Sequence, residues 1–261
     1  MRIKFYQVDA FTDKLFGGNP AGVCPLDDWL PDEAMQNIAF ENNLAETAFF
    51  VINGSDFELR WFTPVAEVDL CGHATLAASH VLFNHLDYNR DKIIFHSRSG
   101  ELRVSKSDDK LVLNFPVDVV KKIEAPEGLV NAIGKKPVEA FKGKTDYLFV
   151  YQTQKEIEEI HPDFDLIMKS KARGVIITAK GDNVDFVSRF FAPEVGVNED
   201  PVTGSAHTTL TPYWAVKLGK KELSAMQLSK RQGKLNCKLI NDRVEIAGHA
   251  VTYLEGSIKL Q

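Results

Sequence analysis

The pentapeptide Arg60-Trp61-Phe62-Thr63-Pro64 returns as Arg189-Phe190-Phe191-Ala192-Pro193, at an offset of 129 in a chain of 261 residues. The signals on either side return in the same order. Gly54 is answered by Gly181 (offset 127), Pro31-Asp32 by Pro162-Asp163 (offset 131), and Gly72-x-Ala74 by Gly204-x-Ala206 (offset 132). The stretch 93–117 then runs without gaps against 226–250 (offset 133), with Arg98/Arg231, Gly100/Gly233, Leu102/Leu235 and Asp109/Asp242 identical. So small a drift implies an internal duplication. The period far exceeds the ~20 to 50 residues of solenoid repeats, so the doubling is of a whole domain-sized unit.

Each copy is rich in strand signals. Period-2 or β-rich runs bounded by Gly, Asn, Asp or Pro cover 3–10, 47–52, 57–63, 92–96, 102–106 and 110–115. One helix is opened by Pro31 with Asp32 and Glu33 behind it and runs to about Asn42. Another starts near Gly72, and its Ala74–Phe83 segment is apolar nearly all round, which suits enclosure by other structure; the alternative is packing on one sheet face. The expected class is α+β, with an N-terminal lobe over 1–120 and a C-terminal lobe over 121–261. Their central helices start at about Gly72 and Gly204, terminal strands are able to cross between lobes, and the cleft between lobes is a natural ligand site.

Composition narrows the partner. A hydrophobic share of 44% and a charged share of 26% are globular values. A net charge of −5, without a run of five like charges, argues against nucleic acid and against a polybasic membrane patch. No stretch approaches the ~18 apolar residues of a membrane span. Cys24, Cys71 and Cys237 are odd in number and widely spaced, as in a reducing compartment, so a cytoplasmic protein acting on a small molecule is expected.

Chemistry concentrates where the two copies differ. Gly72-His73 and Gly204-Ser205 each open a helix, where unpaired N–H groups can hold an anion; the plainer reading is that the glycines allow close packing. Glu46 precedes a strand, and its counterpart is Arg173. Such a carboxylate is a candidate general base, set against an ordinary strand-edge glutamate. Asp200 lies four residues before Gly204 and can reach a ligand there, or serve as a turn residue before Pro201. His73 can donate a hydrogen bond or shuttle a proton, or be structural. Cys71 corresponds to Thr203, so the second thiol of a two-thiol epimerase is missing. Pro212, inside the second central helix, should kink or end it.

Other motifs fail. Gly143-Lys144-Thr145 lacks the upstream glycine of a P-loop, where Val138 stands, and no G-x-G-x-x-G or G-x-S-x-G is present. Cys71-x-His73 has no second pair at a metal-ligand spacing, so no metal is expected. Asn53-Gly54-Ser55 reads as a turn.

Four segments together resemble the PhzF, or phenazine-biosynthesis-like, family: Gly17-Gly18-Asn19-Pro20-Ala21-Gly22-Val23, Asn43-Leu44-Ala45-Glu46-Thr47-Ala48, Asp69-Leu70-Cys71-Gly72-His73-Ala74-Thr75 and Glu199-Asp200-Pro201-Val202-Thr203-Gly204-Ser205-Ala206-His207. The resemblance spans essentially the whole chain. It implies a diaminopimelate epimerase-like fold of two pseudo-symmetric lobes, each a β-barrel around a central α-helix, with the active site between them. It also implies a homodimer and a cofactor-independent isomerase that shifts a proton on a small carboxylate-containing, anionic metabolite. Glu46 falls on the family's acid/base position, with Asp200 and His73 orienting the substrate; Asn19, Gly72, Gly204 and Ser205 fall on ligand-contacting positions. Ala45 stands where many relatives have serine, so the resemblance does not carry over a hydroxyl contact near the base or the phenazine-pathway substrate. An epimerase or racemase pairing Glu46 with Cys71 or His73, and a binding protein without turnover, are the competing readings.

Overall fold

The sequence signals of the first copy resolve, in the computed structural model, as β1 (Arg2–Ala10), β2 (Asn19–Leu26), α1 (Asp32–Asn42), β3 (Glu46–Asn53), β4 (Asp56–Phe62), β5 (Glu67–Val68), α2 (Gly72–His85), β6 (Lys92–Ser97), β7 (Gly100–Ser107) and β8 (Lys110–Pro116). The second copy comprises β9 (Lys121–Ile123), α3 (Glu127–Ile133), β10 (Glu139–Lys142), β11 (Asp146–Val150), α4 (Gln154–Glu159), α5 (Phe164–Lys169), β12 (Gly174–Lys180), β13 (Phe186–Ala192), β14 (Val197–Asp200), α6 (Gly204–Leu218), β15 (Glu222–Gln227), β16 (Gly233–Ile240) and β17 (Arg243–Gly248). The last strand, β18 (Ala250–Lys259), pairs antiparallel with β1. Residues 1–260 are described.

Two units result. One is Met1–Asn114 with the segment from Ala247 onward; the other is Phe115–Ile246. The sequence expectation divides the chain at 120/121 and allows terminal strands to cross between lobes; β18 lies in the first unit with β1.

The duplication is visible in the strand order. Within the first unit β2 is parallel to β3, β3 antiparallel to β4, β4 parallel to β6, and β6 antiparallel to β7. Within the second, β11 to β12, β12 to β13, β13 to β15 and β15 to β16 follow the same sequence of senses. The repeated arginine does the same work in each. Arg60 forks onto Glu67 at 2.7 and 2.8 Å and lies over the Phe62 ring at 5.2 Å, while Arg189 forks onto Glu199 at 2.7 and 3.0 Å and lies over Phe191 at 5.0 Å. A bidentate guanidinium demands fixed geometry, and its recurrence explains why this pentapeptide is the best preserved.

One part of the alignment is corrected. Phe95 pairs with Leu102 and Ala225 with Leu235, so the strands before Gly100 and Gly233 correspond at an offset of 130 and the strands after them at 133. The second hairpin loop is longer, and the gap-free run holds only from the glycine onward.

Helix α2 is enclosed. His73 to Ser79 are all buried, and seven consecutive residues cover every side of a helix with 3.6 residues per turn. It packs on β1, β2, β3 and β18. Packing on one face alone is thereby excluded. Helix α6 is buried likewise from Ala206 to Thr211 and packs on β15 and β16. The opposite sides of the strands are covered too. Phe49 and Val51 of β3 meet Met35, Ile38 and Ala39 of α1, and Val175, Ile177 and Ala179 of β12 share a core with Leu129, Ile157 and Ile167 of α3, α4 and α5. Strands buried on both faces read as continuous apolar runs, as 47–52 did.

Pro212 neither breaks nor ends α6, which continues to Leu218. Proline lacks the N–H that should bond to the Thr208 carbonyl one turn back. That carbonyl accepts instead from the Asp118 backbone N–H at 3.3 Å, and Asp118 Oδ2 takes the Thr209 hydroxyl at 2.9 Å. The orphaned acceptor is satisfied from outside the helix. No described helix is long and apolar enough to cross a membrane.

Candidate active site

Asn19 and Glu46 open the adjacent parallel strands β2 and β3. Ala21 lies opposite Glu46, and Asn19, two residues earlier, shares its face, so both side chains emerge at one end of the pair. The start of α2 supplies a third. Cys71 is its N-cap in an extended conformation, and both the N–H and the hydroxyl of Thr75 bond the Cys71 carbonyl, locking the first turn. His73 follows on that turn, 5% exposed.

The imidazole is held at both ends. Its Nε2 stands 3.1 Å from Oε2 of Glu46, and its Nδ1 lies 3.1 Å from Asn19 Nδ2 and 3.5 Å from Cys71 Sγ. The Glu46 contact is close in distance but lacks hydrogen-bond alignment, and neither Nε2 nor Oε2 has a hydrogen bond to any other described residue. Its attraction is electrostatic. The Asn19 amide suits either state of the ring, giving an N–H to a bare Nδ1 or, turned over, a carbonyl to a protonated one.

Burial by itself pushes His73 down. The Cys71 sulfur and the Glu46 carboxylate outweigh it and hold the ring well above its ordinary value. The Cys71 thiol is pushed up to about 11, by burial first and the Glu46 charge second, so it keeps its proton near neutrality. The Cys71 sulfur acts on the ring from the Nδ1 side and the Glu46 carboxylate from the Nε2 side.

The symmetry-related position differs in chemistry. Strand register places the counterpart of Glu46 at Gly174, since Thr47 pairs with Phe62 and Val175 with Phe191, rather than at Arg173, which stands just before β12 and bonds Asp146 at 2.7 Å. Glycine has no side chain to offer there, whereas Glu46 presents a carboxylate at 17% side-chain exposure.

The remaining expected residues lie in the second unit, around the start of α6. Asp200 ends β14, Gly204 is the first helical residue and is buried, and Ser205 is exposed with its carbonyl accepting from Thr208 at 2.7 Å. The N-cap is Thr203, a residue type that ordinarily caps with its hydroxyl. Here no cap is made; the hydroxyl donates to Asp200 Oδ2 at 2.5 Å. Thr203 and its buried partner Gln227 were missed by sequence reasoning. Thr203 was noticed only as a missing thiol, and nothing around Gln227 at the end of β15 distinguishes it from a strand residue.

Glu46, Cys71 and His73 offer three ligand atoms within 4.8 Å of one another, a spacing that raises the question of a metal. The donor arrangement does not fit one. Cys71 approaches Nδ1 while Glu46 approaches Nε2, and a single ion takes only one imidazole nitrogen. The geometry is that of an imidazole flanked by a thiol on one nitrogen and a carboxylate on the other.

Comparison with known proteins agrees with this architecture. The family model for phenazine biosynthesis-like proteins matches residues 8–256. An uncharacterized isomerase of Pseudomonas aeruginosa is 51% identical over 260 residues, covering 100% of both chains. The crystal structure of a PhzF-family phenazine biosynthesis protein from Enterococcus faecalis superposes with a TM-score of 0.97 at 46% identity, again over 100% of both chains. A probable proline racemase from Agrobacterium radiobacter, 9% identical with a TM-score of 0.68 over 99% of this chain and 93% of its own, shares the fold alone. The α+β, diaminopimelate epimerase-like class expected from the sequence is the class observed. The chain belongs to the phenazine biosynthesis-like, or PhzF, protein family.

Proposed function

We propose that this protein is a cofactor-independent isomerase that moves a proton within a small carboxylate-bearing metabolite, with Glu46 removing the proton from one carbon and returning it to another. The observation that carries this reading is the contact between Glu46 Oε2 and Nε2 of the buried His73 at 3.1 Å. A carboxylate beside a charged imidazole is ready as a base, and the ring offers a donor for negative charge that develops when a C–H bond breaks. The isomerase name borne by the relative from Pseudomonas aeruginosa points the same way.

His73 and Asp200 then orient the substrate, and Asn19, Gly72, Gly204 and Ser205 contact it. The first-turn N–H groups of α2, uncapped by the Cys71 side chain, suit an anionic group. The resemblance alone extends the proposal to a cytoplasmic homodimer. Against an epimerase that uses Cys71 as its second base stands the buried, protonated thiol.

The test is solvent exchange. Small carboxylates bearing an acidic C–H are incubated with the protein in deuterated water and followed by proton NMR; turnover should wash label into one of them. Exchange that persists in Glu46→Gln removes Glu46 from the role, and its absence throughout a broad panel favours binding without turnover.

A further inference from the structure

Gln227 is fully buried, yet its side chain makes three hydrogen bonds to one short segment. Its Oε1 accepts from the Thr203 backbone N–H at 2.9 Å, and its Nε2 donates to the Asp200 carbonyl at 2.7 Å and to Thr203 Oγ1 at 3.2 Å. Thr203 Oγ1, with one acceptor site taken by Gln227, directs its only proton to Asp200 Oδ2 at 2.5 Å. Behind it, Nδ1 of the buried His207 donates to the Thr203 carbonyl at 2.8 Å.

The directions of these bonds are forced. An amide has a defined donor end and acceptor end, and a backbone N–H can only be met by the oxygen, so Gln227 cannot turn over without losing all three. A hydroxyl is a free rotor unless its acceptor side is occupied. Occupied by Nε2, it points one way. The bonds of Gln227 and Thr203, each with its direction fixed, specify a single arrangement.

We propose that Gln227 is a positioning residue for Asp200: acting through the Thr203 hydroxyl, it sets the orientation of the Asp200 carboxylate beside the start of α6. This rests on the role given to Asp200 above, but its structural half stands without it. Neither Gln227 nor Thr203 is needed for such a sheet or helix. The last residue of a strand and the N-cap of a helix have simpler solutions, including a Thr203 hydroxyl turned onto its own helix.

Two variants test it. Gln227→Met removes every bond at similar length, whereas Gln227→Glu, as a carboxylate, keeps the acceptor for the Thr203 N–H and loses both donors. In crystal structures of the two variants, the Asp200 carboxylate should have left Thr203 Oγ1 in both, while the Thr203 amide should stay slow in hydrogen exchange only in the glutamate. With a substrate found by solvent exchange, both should lower kcat about 10²-fold, the cost of a misplacement of roughly 1 Å, with a smaller change in KM. If one variant does not fold, the other supplies the structure, and Thr203→Val, which leaves the backbone bonds to Gln227 in place, should reproduce the kcat loss. An Asp200 carboxylate that keeps its place and its Thr203 contact in either variant overturns the proposal. A displaced Asp200 in a protein that exchanges no substrate proton leaves Gln227 as its positioner and removes the isomerase reading instead.

Discussion

Nε2 of His73 and Oε2 of Glu46 face each other at 3.1 Å, and neither has a hydrogen bond to any other described residue. The ring is held above its ordinary value by the Cys71 sulfur at one nitrogen and by this carboxylate at the other. In Glu46→Gln one of the two groups that raise His73 is gone while burial, which lowers it, remains. The His73 titration followed by NMR should move down. Proton exchange into substrate should fall by at least about 10²-fold, the scale of lost general acid/base catalysis. An unmoved His73 titration would show that the contact does not set the ring's charge.

The same pair has a stability signature. A histidine whose native value is raised stabilises the fold fully below its unfolded value of about 6.5, and that contribution is lost as the pH climbs through the raised native value. The gap in melting temperature between the native protein and Glu46→Gln should accordingly narrow toward alkaline pH. A gap that is flat with pH would assign the variant's loss to packing.

His207 and His80 act in the opposite sense. Burial lowers each to about 4, so both are neutral in the native state. Their unfolded forms take up protons as the pH falls below about 6.5, so stability should decline from there to about pH 4, by about 3 kcal/mol for His207. His207→Gln cannot titrate and should flatten that part of the curve in urea unfolding. A slope equal to that of the native protein would place the acid sensitivity elsewhere.

Cys71→Ser offers a direct comparison of mechanisms. The thiol holds its proton, pushed up to about 11, so its replacement by a hydroxyl should leave exchange within about tenfold of native while shifting the pH profile through His73. Loss as severe as in Glu46→Gln would revive the thiol as a second base, and chiral analysis of the product would then decide for an epimerase.

Pro212→Ala should be nearly neutral. In an ordinary helix interior the change is worth about 3 kcal/mol, but here the Thr208 carbonyl is already held by the Asp118 N–H, and a new helical donor has to compete for it. Unfolding in urea should shift by about 1 kcal/mol or less. A gain near the full value would mean that the outside bond contributes little.

The duplication, the enclosed helices and the α+β class were legible in the sequence because each rests on local information: strand period, apolar helix faces, and a pentapeptide that returns with its arginine, phenylalanine and proline in place. Glu46 was legible as the position where the copies disagree. The C-terminal strand was legible only as one able to cross between lobes, and its register with β1, the longer loop before Gly233 and the rescue of the Thr208 carbonyl were not legible, because strand pairing and backbone satisfaction join residues far apart in sequence and leave no local pattern. The same holds for the chemistry. Composition and motif put glutamate, histidine and aspartate in the chain, but only the tertiary structure set His73 between Glu46 and Cys71 and gave Asp200 to Thr203 and Gln227, since burial and hydrogen-bond direction decide which groups are charged and which way they point.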